Sequence, residues 1–182
     1  MLKLKKVNMA ILPTIVNLNE IWEDEPDFSN WLSEEENLKE LSNLVGINMT
    51  LNKREFAVGS FRGDIFATEE GTGKKIIIEN QFNKTDHDHL GKIITYAAGK
   101  AANIIIWIAE DARDEHMQAI EWLNQQTKEE ISFFLIEIVV WKYNNSLPSL
   151  EFRIIEKPYY WVMNRRTWKI SDITTKGNNI NE

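Results

Sequence analysis

The stretch IIIENQFNKTDHDHLG, residues 76–91, changes from apolar to polar within a single extended segment. Three consecutive isoleucines predict a β-strand that enters a hydrophobic core. The strand nonetheless ends on Glu79, Asn80 and Gln81, and two aspartates and two histidines follow directly. This polar end is where the sequence indicates a functional site, and the neighbouring segments decide what kind of site it is.

The segments around this strand predict a sheet flanked by helices. Glycines separate three extended segments that form a predicted β-meander: 47–58, 60–71 and 73–81. The run NIIIWIAE, residues 103–110, is apolar throughout, which is typical of a central strand covered on both faces. Helical spacing of apolar residues predicts three helices: 30–46, 87–102 and 114–126. Two further strands are predicted over 132–143 and 150–157. This order predicts an α/β (α+β) fold with a central mixed β-sheet.

The length and composition predict one globular core. A chain of 182 residues is long enough for a single sizeable domain, which we place at residues 28–161. Residues 1–27 are interpreted as an N-terminal arm that ends in a linker-like stretch around Pro26, and residues 162–182 as a C-terminal tail. No apolar run is long enough for a membrane span, and no signal peptide is recognisable. The absence of cysteine excludes disulfides and thiolate chemistry and fits a reducing compartment, so we expect a cytoplasmic protein.

The charge is unevenly distributed along the chain. A net charge of −7 argues against a protein that coats nucleic acid non-specifically. The segment Arg153–Lys176 is basic, however, and interleaves cations with tyrosine and tryptophan, a mix that suits binding to a nucleic-acid backbone. Arg165 and Arg166 are the candidate contacts. The alternative is that these aromatic residues pack a C-terminal arm onto the domain and leave the arginines outside.

A hairpin argument brings two carboxylates together. If Gly71 and Thr72 form a two-residue loop, Asp64 lies opposite Glu79 on the neighbouring strand. Like charges in that position repel, and a hard divalent cation such as Mg²⁺ between them relieves the repulsion. Alternation along the strand then places Gln81 on the face of Glu79. Asn80 points away, so only its backbone carbonyl can reach the metal.

A simpler explanation of these residues stays open. Asp64 can cap a local turn, and Glu79 can pair with a nearby lysine such as Lys92. A register slip of one residue would also place the two acids on opposite faces of the sheet.

The residues also carry a family resemblance. A first helix, then Asp64 within GDI and Glu79-Asn80-Gln81 within IENQ on adjacent strands, resembles the PD-(D/E)XK phosphodiesterase superfamily, which has the restriction-endonuclease-like fold. Gly63 stands where the superfamily name has proline, and Gln81 stands where lysine is usual. The longer string IENQ…TDHDHLG…TYAAG is similar to a group of prokaryotic proteins of unknown function within that superfamily. The resemblance covers residues 28–161.

The resemblance implies metal-dependent phosphodiester hydrolysis. It implies a DNA endonuclease acting in restriction, defence or repair, with Mg²⁺ or Mn²⁺ held by Asp64, Glu79 and the carbonyl of Asn80, and with Gln81 orienting a water molecule. An acid from the first helix, Glu36 or Glu40, completes the metal shell in this interpretation. The alternative for Glu36 is a capping box with Ser33, and for Glu40 simple solvation. The alternative function is a catalytically inactive module that binds nucleic acid or a protein.

The cluster of residues 86–89 does not predict a zinc site, because histidines two apart at the start of a helix diverge. Asp86, or Thr85 before it, is the expected N-cap. We expect His89, Lys92 and Tyr96 to contact a phosphate backbone from one helix face, and His116 to lie on the surface.

A homodimer is a further hypothesis from the N-terminal arm. Its interface would use the apolar side chains Ile11, Leu12, Ile15 and Val16.

Overall fold

The computed structural model describes residues 12–144, 146–159 and 161. Within these ranges the chain forms seven strands and four α-helices. The strands are β1 (Thr14–Val16), β2 (Met49–Val58), β3 (Phe61–Glu69), β4 (Lys75–Lys84), β5 (Ile104–Asp111), β6 (Ser132–Lys142) and β7 (Ser149–Glu156). The helices are α1 (Glu25–Leu32), α2 (Glu35–Val45), α3 (His87–Lys100) and α4 (Asp114–Gln126), and a short 3₁₀ turn spans Leu18–Glu20. No helix in the described part of the chain is both long and apolar enough to cross a bilayer.

All seven strands belong to one mixed sheet, which confirms the α/β fold class with a central sheet. β2, β3 and β4 form an antiparallel meander, and β4, β5 and β6 run parallel to one another. β7 pairs antiparallel with residues 135–141 along one edge of β6. The other edge of β6 is shared, since β5 pairs with residues 132–137 and β1 pairs antiparallel with residues 140–142.

The helices cover both faces of the sheet. The crossover helices that parallel strands need, α3 and α4, pack on one face, and α1 and α2, which precede the meander, pack on the other. α3 connects β4 to β5, and α4 connects β5 to β6. The three isoleucines of β4 divide between two cores, as alternation requires. Ile76 and Ile78 pack with residues of α1 and α2, whereas Ile77 packs with residues of α3 and α4.

The predicted helix over 30–46 is two helices, and this is a correction. α1 begins within the segment interpreted as a linker: Asp24 is its N-cap, and Pro26 lies in its first turn. The break between α1 and α2 falls at Ser33, whose hydroxyl donates to the carbonyl of Asn30. Ser33 therefore ends α1 and does not cap α2. The predicted capping box is wrong, because the N-cap of α2 is Glu34 and makes no side-chain cap bond.

The N-terminal segment contributes to the core. Val16, Leu18 and Trp22 are buried in the cluster that includes α1 and α2. Among the residues of the hypothetical dimer interface, Leu12 is 84% exposed and Ile15 is 66% exposed, while Ile11 lies outside the described residues.

The C-terminal end of the core is held by one aromatic residue. Trp161 donates from its indole nitrogen to the carbonyl of Val45 and packs edge-on against Phe134. This contact agrees, for Trp161, with the interpretation in which aromatic residues pack onto the domain. Arg165 and Arg166 lie outside the described residues, so their expected role stays a prediction.

Candidate metal centre

The register of β3 and β4 places the two predicted carboxylates opposite each other. Ile65 pairs with Ile78, and the same register continues to Thr68 and Lys75. The loop is longer than the predicted two-residue turn, because Glu69 donates to the carbonyl of Lys74 and four residues lie between them. The centre of the loop is nevertheless the same, so the register is the predicted one, and its next step matches Asp64 with Glu79.

Beyond Ile65 and Ile78 the ladder between the two strands gives way to side-chain bonds. The backbone N–H of Asn80 donates to Oδ2 of Asp64 across 2.7 Å, and the backbone N–H of Asp64 lies 3.4 Å from Oε2 of Glu79. Each carboxylate thus reaches the backbone of the opposite strand. The carbonyl of Asn80 faces the same gap as its N–H, because both groups of a strand residue point to the same neighbour.

The two carboxylates lie in an environment that disfavours negative charge. Burial, followed by the charge of Asp64, raises the pKa of Glu79 to about 8. Burial also raises the pKa of Asp64 to about 6, against the opposing effect of the Asn80 hydrogen bond. Two adjacent carboxyl groups, Glu79 buried and Asp64 partly buried, therefore hold protons tightly, or else require a cation near them.

A third acid approaches the pair from α1 and was not identified from the sequence. Oε1 of Glu25 accepts a 2.8 Å hydrogen bond from the backbone N–H of Phe82 in β4. The charge of Glu25 contributes to raising the pKa of both Asp64 and Glu79. A local signal for its helix was present, since aspartate followed two residues later by proline is typical of a helix start.

The acids expected from the first helix occupy other positions. Glu36 and Glu40 are exposed side chains of α2, and Glu40 lines a cleft beside Leu150 and Phe152 of β7. Glu25 therefore replaces Glu36 and Glu40 as the helical acid beside the carboxylate pair. The prediction treated α1 and α2 as one helix. Because the chain breaks between them, the helix whose acid contacts β4 is α1, which carries Glu25 and neither Glu36 nor Glu40.

The cation beside the pair is Lys92 of α3. Its Nζ lies 3.9 Å from Oε1 of Glu79, and its side chain is partly exposed. Its charge acts to lower the pKa of both Glu79 and Asp64. Lys92 thus offsets part of the negative charge, while the remaining burial effect keeps both pKa values high.

Gln81 lies on the predicted face of β4, and its side-chain amide is hydrogen bonded to other residues of the protein. Oε1 of Gln81 accepts from the indole N–H of Trp107, and Nε2 donates to Oδ2 of Asp86 and to the carbonyl of Lys84. Both N–H groups of Gln81 are thus bonded within the protein, which leaves only the second lone pair of Oε1 for a water molecule. The role of Gln81 in orienting water stays a prediction. Asn80 points to the opposite face, as predicted, and donates from its side chain to Ser29 of α1.

The helix face formed by His89, Lys92 and Tyr96 turns inward. Tyr96 is only 2% exposed, and its hydroxyl donates to the carbonyl of Arg62. His89 is also buried and contacts Asp86 and Lys92 through its two ring nitrogens. The side chains of Tyr96 and His89 are thus enclosed by the protein, whereas Lys92 is partly exposed, and phosphate contact from this helix face stays a prediction.

His87 and His89 diverge, as predicted, and Asp86 is the N-cap of α3. His87 contacts His116 through ring nitrogens 2.8 Å apart, and Nδ1 of His116 lies 2.7 Å from Oγ1 of Thr85. His116 is 1% exposed, so its predicted surface position is wrong. Burial lowers the pKa of His116, and the charges of His87 and Arg113 lower it further.

The donor set suits a hard divalent cation of the Mg²⁺ type. Asp64 and Glu79 offer carboxylate oxygens, and Asn80 offers a backbone carbonyl. No group of three histidine, aspartate or glutamate side chains within the described ranges converges tightly enough to enclose an ion. Mg²⁺ keeps several water ligands and is commonly held by one or two carboxylates, so the two acids and the raised pKa values fit such an ion.

Comparisons with known proteins give two structural similarities. No family model and no curated protein matches the chain. The chain is similar to a repair endonuclease from Pyrococcus abyssi, with 13% identity over 57% of this chain and a TM-score of 0.45. It is also similar to SfsA from Pyrococcus furiosus, solved in complex with Ca²⁺, with 16% identity over 61% of this chain and a TM-score of 0.35. The chain spans 43% and 58% of those two proteins.

Proposed function

We propose that this protein is a metal-dependent phosphodiesterase that cleaves nucleic acid, with Asp64 and Glu79 as the ligands of a divalent cation. The observation that supports the proposal is the paired position of these carboxylates, each bonded to the backbone of the opposite strand and each with a raised pKa. An acid pair with one buried and one partly buried member is destabilising for the chain alone, which supports a functional reason for it.

Each residue of the site has its own role in the proposed phosphodiester hydrolysis. Asp64 and Glu79 hold the cation, together with the carbonyl of Asn80. A divalent cation, when bound, activates water and offsets the charge that develops on the phosphate. Lys92, which is partly exposed beside Glu79, binds and orients an oxygen of the scissile phosphate. Lys92 thereby supplies the positive charge that Gln81 cannot carry.

Cleavage of plasmid DNA and of single-stranded DNA and RNA in Mg²⁺ or Mn²⁺ tests this proposal. Asp64→Asn and Glu79→Gln keep the shape of the side chains but remove the charges, and we expect each to reduce the rate by at least about a hundredfold. Glu36→Gln and Glu40→Gln are matched controls, because they make the same chemical change on α2, and they are expected to cleave like the wild type.

Two results would contradict the proposal. Equal cleavage by the wild type, Asp64→Asn and Glu79→Gln would remove the carboxylate pair from the reaction. Binding of nucleic acid without turnover in either metal would instead indicate the inactive binding module.

A further inference from the structure

Four side chains form a continuous chain of contacts from the N-terminus of α3 to the carboxylate pair. Oδ1 of Asp86 lies 3.0 Å from Nδ1 of His89, and Nε2 of His89 lies 3.1 Å from Nζ of Lys92. Lys92 in turn approaches Oε1 of Glu79 at 3.9 Å. An acid, an imidazole, an ammonium group and a second acid therefore alternate along this path.

The contacts determine which ring nitrogen of His89 carries the proton. An ionised carboxylate only accepts hydrogen bonds, so the nitrogen that faces Asp86 is the donor. In a neutral imidazole the other nitrogen, Nε2, then has a free lone pair, and it accepts from the ammonium group of Lys92. His89 is thus oriented with its acceptor towards Lys92.

Asp86 itself is held in place from two sides. As the N-cap of α3 it accepts from the backbone N–H of His89 at 2.8 Å, and its second oxygen accepts from Nε2 of Gln81 at 2.6 Å. Gln81 and Glu79 lie on the same face of β4, two residues apart. The contacts therefore close into a ring that starts and ends on β4 and passes through the first turns of α3.

We infer that His89 is a positioning residue of this site, which holds the ammonium group of Lys92 beside Glu79 where a substrate phosphate would meet it. A lysine side chain has four methylene groups and many rotamers, so an exposed lysine near the pair would not by itself stay in one position. The buried imidazole removes this freedom because it fixes one hydrogen bond of the ammonium group. The statement about phosphate rests on the proposed function, whereas the statement about the position of Lys92 does not.

Two substitutions at His89 separate its contact with Asp86 from its contact with Lys92. His89→Gln places a distal amide oxygen near the position of Nε2 and so retains an acceptor for Lys92. His89→Asn places its amide near the position of Nδ1 and retains the contact with Asp86, but it is too short to reach Lys92. Both variants are polar and smaller than histidine, which makes them matched controls for each other, and circular dichroism and thermal unfolding establish that each is folded.

The first measurement is independent of activity and uses the metal-free full-length chain. ¹H–¹⁵N correlation spectra of lysine ammonium groups at low temperature show those whose protons exchange slowly because they are hydrogen bonded, and Lys92→Arg identifies the Lys92 signal. We expect a Lys92 signal in the wild type and in His89→Gln, and its loss in His89→Asn. A Lys92 signal that is absent from the wild type, or unchanged in His89→Asn, overturns the inference.

The second measurement is the cleavage rate of the same variants at saturating divalent cation. We expect His89→Asn to lower kcat/KM by about 10- to 100-fold, as loss of an outer hydrogen-bond partner of a metal site commonly does, and His89→Gln to retain most of the wild-type value. Equal losses in both variants contradict a positioning role. If the wild type cleaves nothing, the proposed function fails while the ammonium spectra still decide the position of Lys92.

Discussion

The indole N–H of Trp107 donates to Oε1 of Gln81 across 3.2 Å, between the adjacent parallel strands β4 and β5. Trp107 is completely buried, so this amide oxygen is the partner that its N–H has in the core. Position 81 is therefore part of the internal hydrogen bonding of the sheet. The positive charge beside the carboxylates comes from α3 instead.

Replacement of Gln81 by lysine should therefore lower the stability of the folded protein without increasing its cleavage rate. Gln81→Lys removes the acceptor for Trp107, and we expect a loss of about 1–3 kcal/mol in the free energy of unfolding, which is the usual cost of a buried unpaired donor. Urea denaturation measures this loss, and plasmid cleavage is expected not to increase.

A double-mutant cycle with Trp107→Phe identifies the cause. The cost of Gln81→Lys should be smaller when position 107 has no N–H to satisfy. An equal cost in both backgrounds, or a clear increase in cleavage by Gln81→Lys, would argue against this explanation of position 81.

Ionisation of Glu79 and Asp64 should lower the stability of the metal-free protein as the pH rises. Glu79 has an ordinary pKa of 4.5 and a folded pKa of about 8, and Asp64 moves from 3.8 to about 6. Because the folded chain binds these protons more tightly than the unfolded chain, the stabilising contribution is complete below the unfolded values and is lost as the pH rises through the folded ones. Urea denaturation in EDTA at several values between pH 5 and 8 measures the slope.

Variants of the two acids test the origin of that slope. Glu79→Gln cannot ionise and should flatten the dependence above pH 6, while Glu40→Gln should retain it. A slope that Glu79→Gln leaves unchanged would show that the carboxylate pair is not under electrostatic strain.

Divalent cations should reverse this destabilisation. An ion that binds only the folded chain adds about 2.7 kcal/mol at a concentration 100-fold above its dissociation constant. We therefore expect Mn²⁺ or Mg²⁺ to raise the Tm of the wild type at pH 8, and the rise to shrink at pH 5, where protons occupy the carboxyl groups. Differential scanning calorimetry with and without EDTA measures the shift.

The control for cation binding is Asp64→Asn, which has one carboxylate fewer at the same place. If Asp64→Asn shows the same increase in Tm as the wild type, the ions bind elsewhere. Isothermal titration with Mn²⁺ then shows whether a specific site exists.

Gly63 precedes Asp64, and its lack of a side chain is required by packing. A Cβ at position 63 would overlap the ring of Phe56, which is buried and packs edge-on against Tyr96. We expect Gly63→Ala to cost about 1–3 kcal/mol of stability, as overpacking of a core does. The change should also displace Asp64 and weaken cation binding, as measured by titration.

Gly91→Ala is the matched substitution. A Cβ at position 91 meets open space within α3, so alanine there should stabilise the protein by about 0.5–1 kcal/mol through helix propensity. Equal effects at positions 63 and 91 would contradict the assigned role of Phe56.

The sequence predicted the features of the site that depend on hairpin register and on alternation along a strand. Counting along a hairpin matched Asp64 with Glu79, since the register depends on where the loop is centred and not on its length. Alternation along the strand likewise predicted that Asn80 and Gln81 point to opposite faces. These two regularities were enough to locate the carboxylate pair and the strand that carries it.

The parts that depend on tertiary contacts were missed. Glu25 accepts from the backbone N–H of Phe82, 57 positions later. Trp107 of β5 donates to Gln81 of β4, 26 positions earlier, with α3 between them. Both contacts form only when elements distant in the sequence pack together, so no local sequence pattern predicts them. His116 was assigned to the surface for the same reason, because its partner Thr85 lies 31 positions earlier, between β4 and α3.

The pairing of β1 with the far half of β6 has a consequence for the growing chain. Thr14 pairs with Lys142, so β1 is synthesised long before the strand with which it pairs. Until β6 has been made, the backbone groups of β1 that pair with it have no strand partner. The domain can close only after synthesis has passed β6, so a nascent chain stopped before that point keeps an open edge that invites contact with other chains.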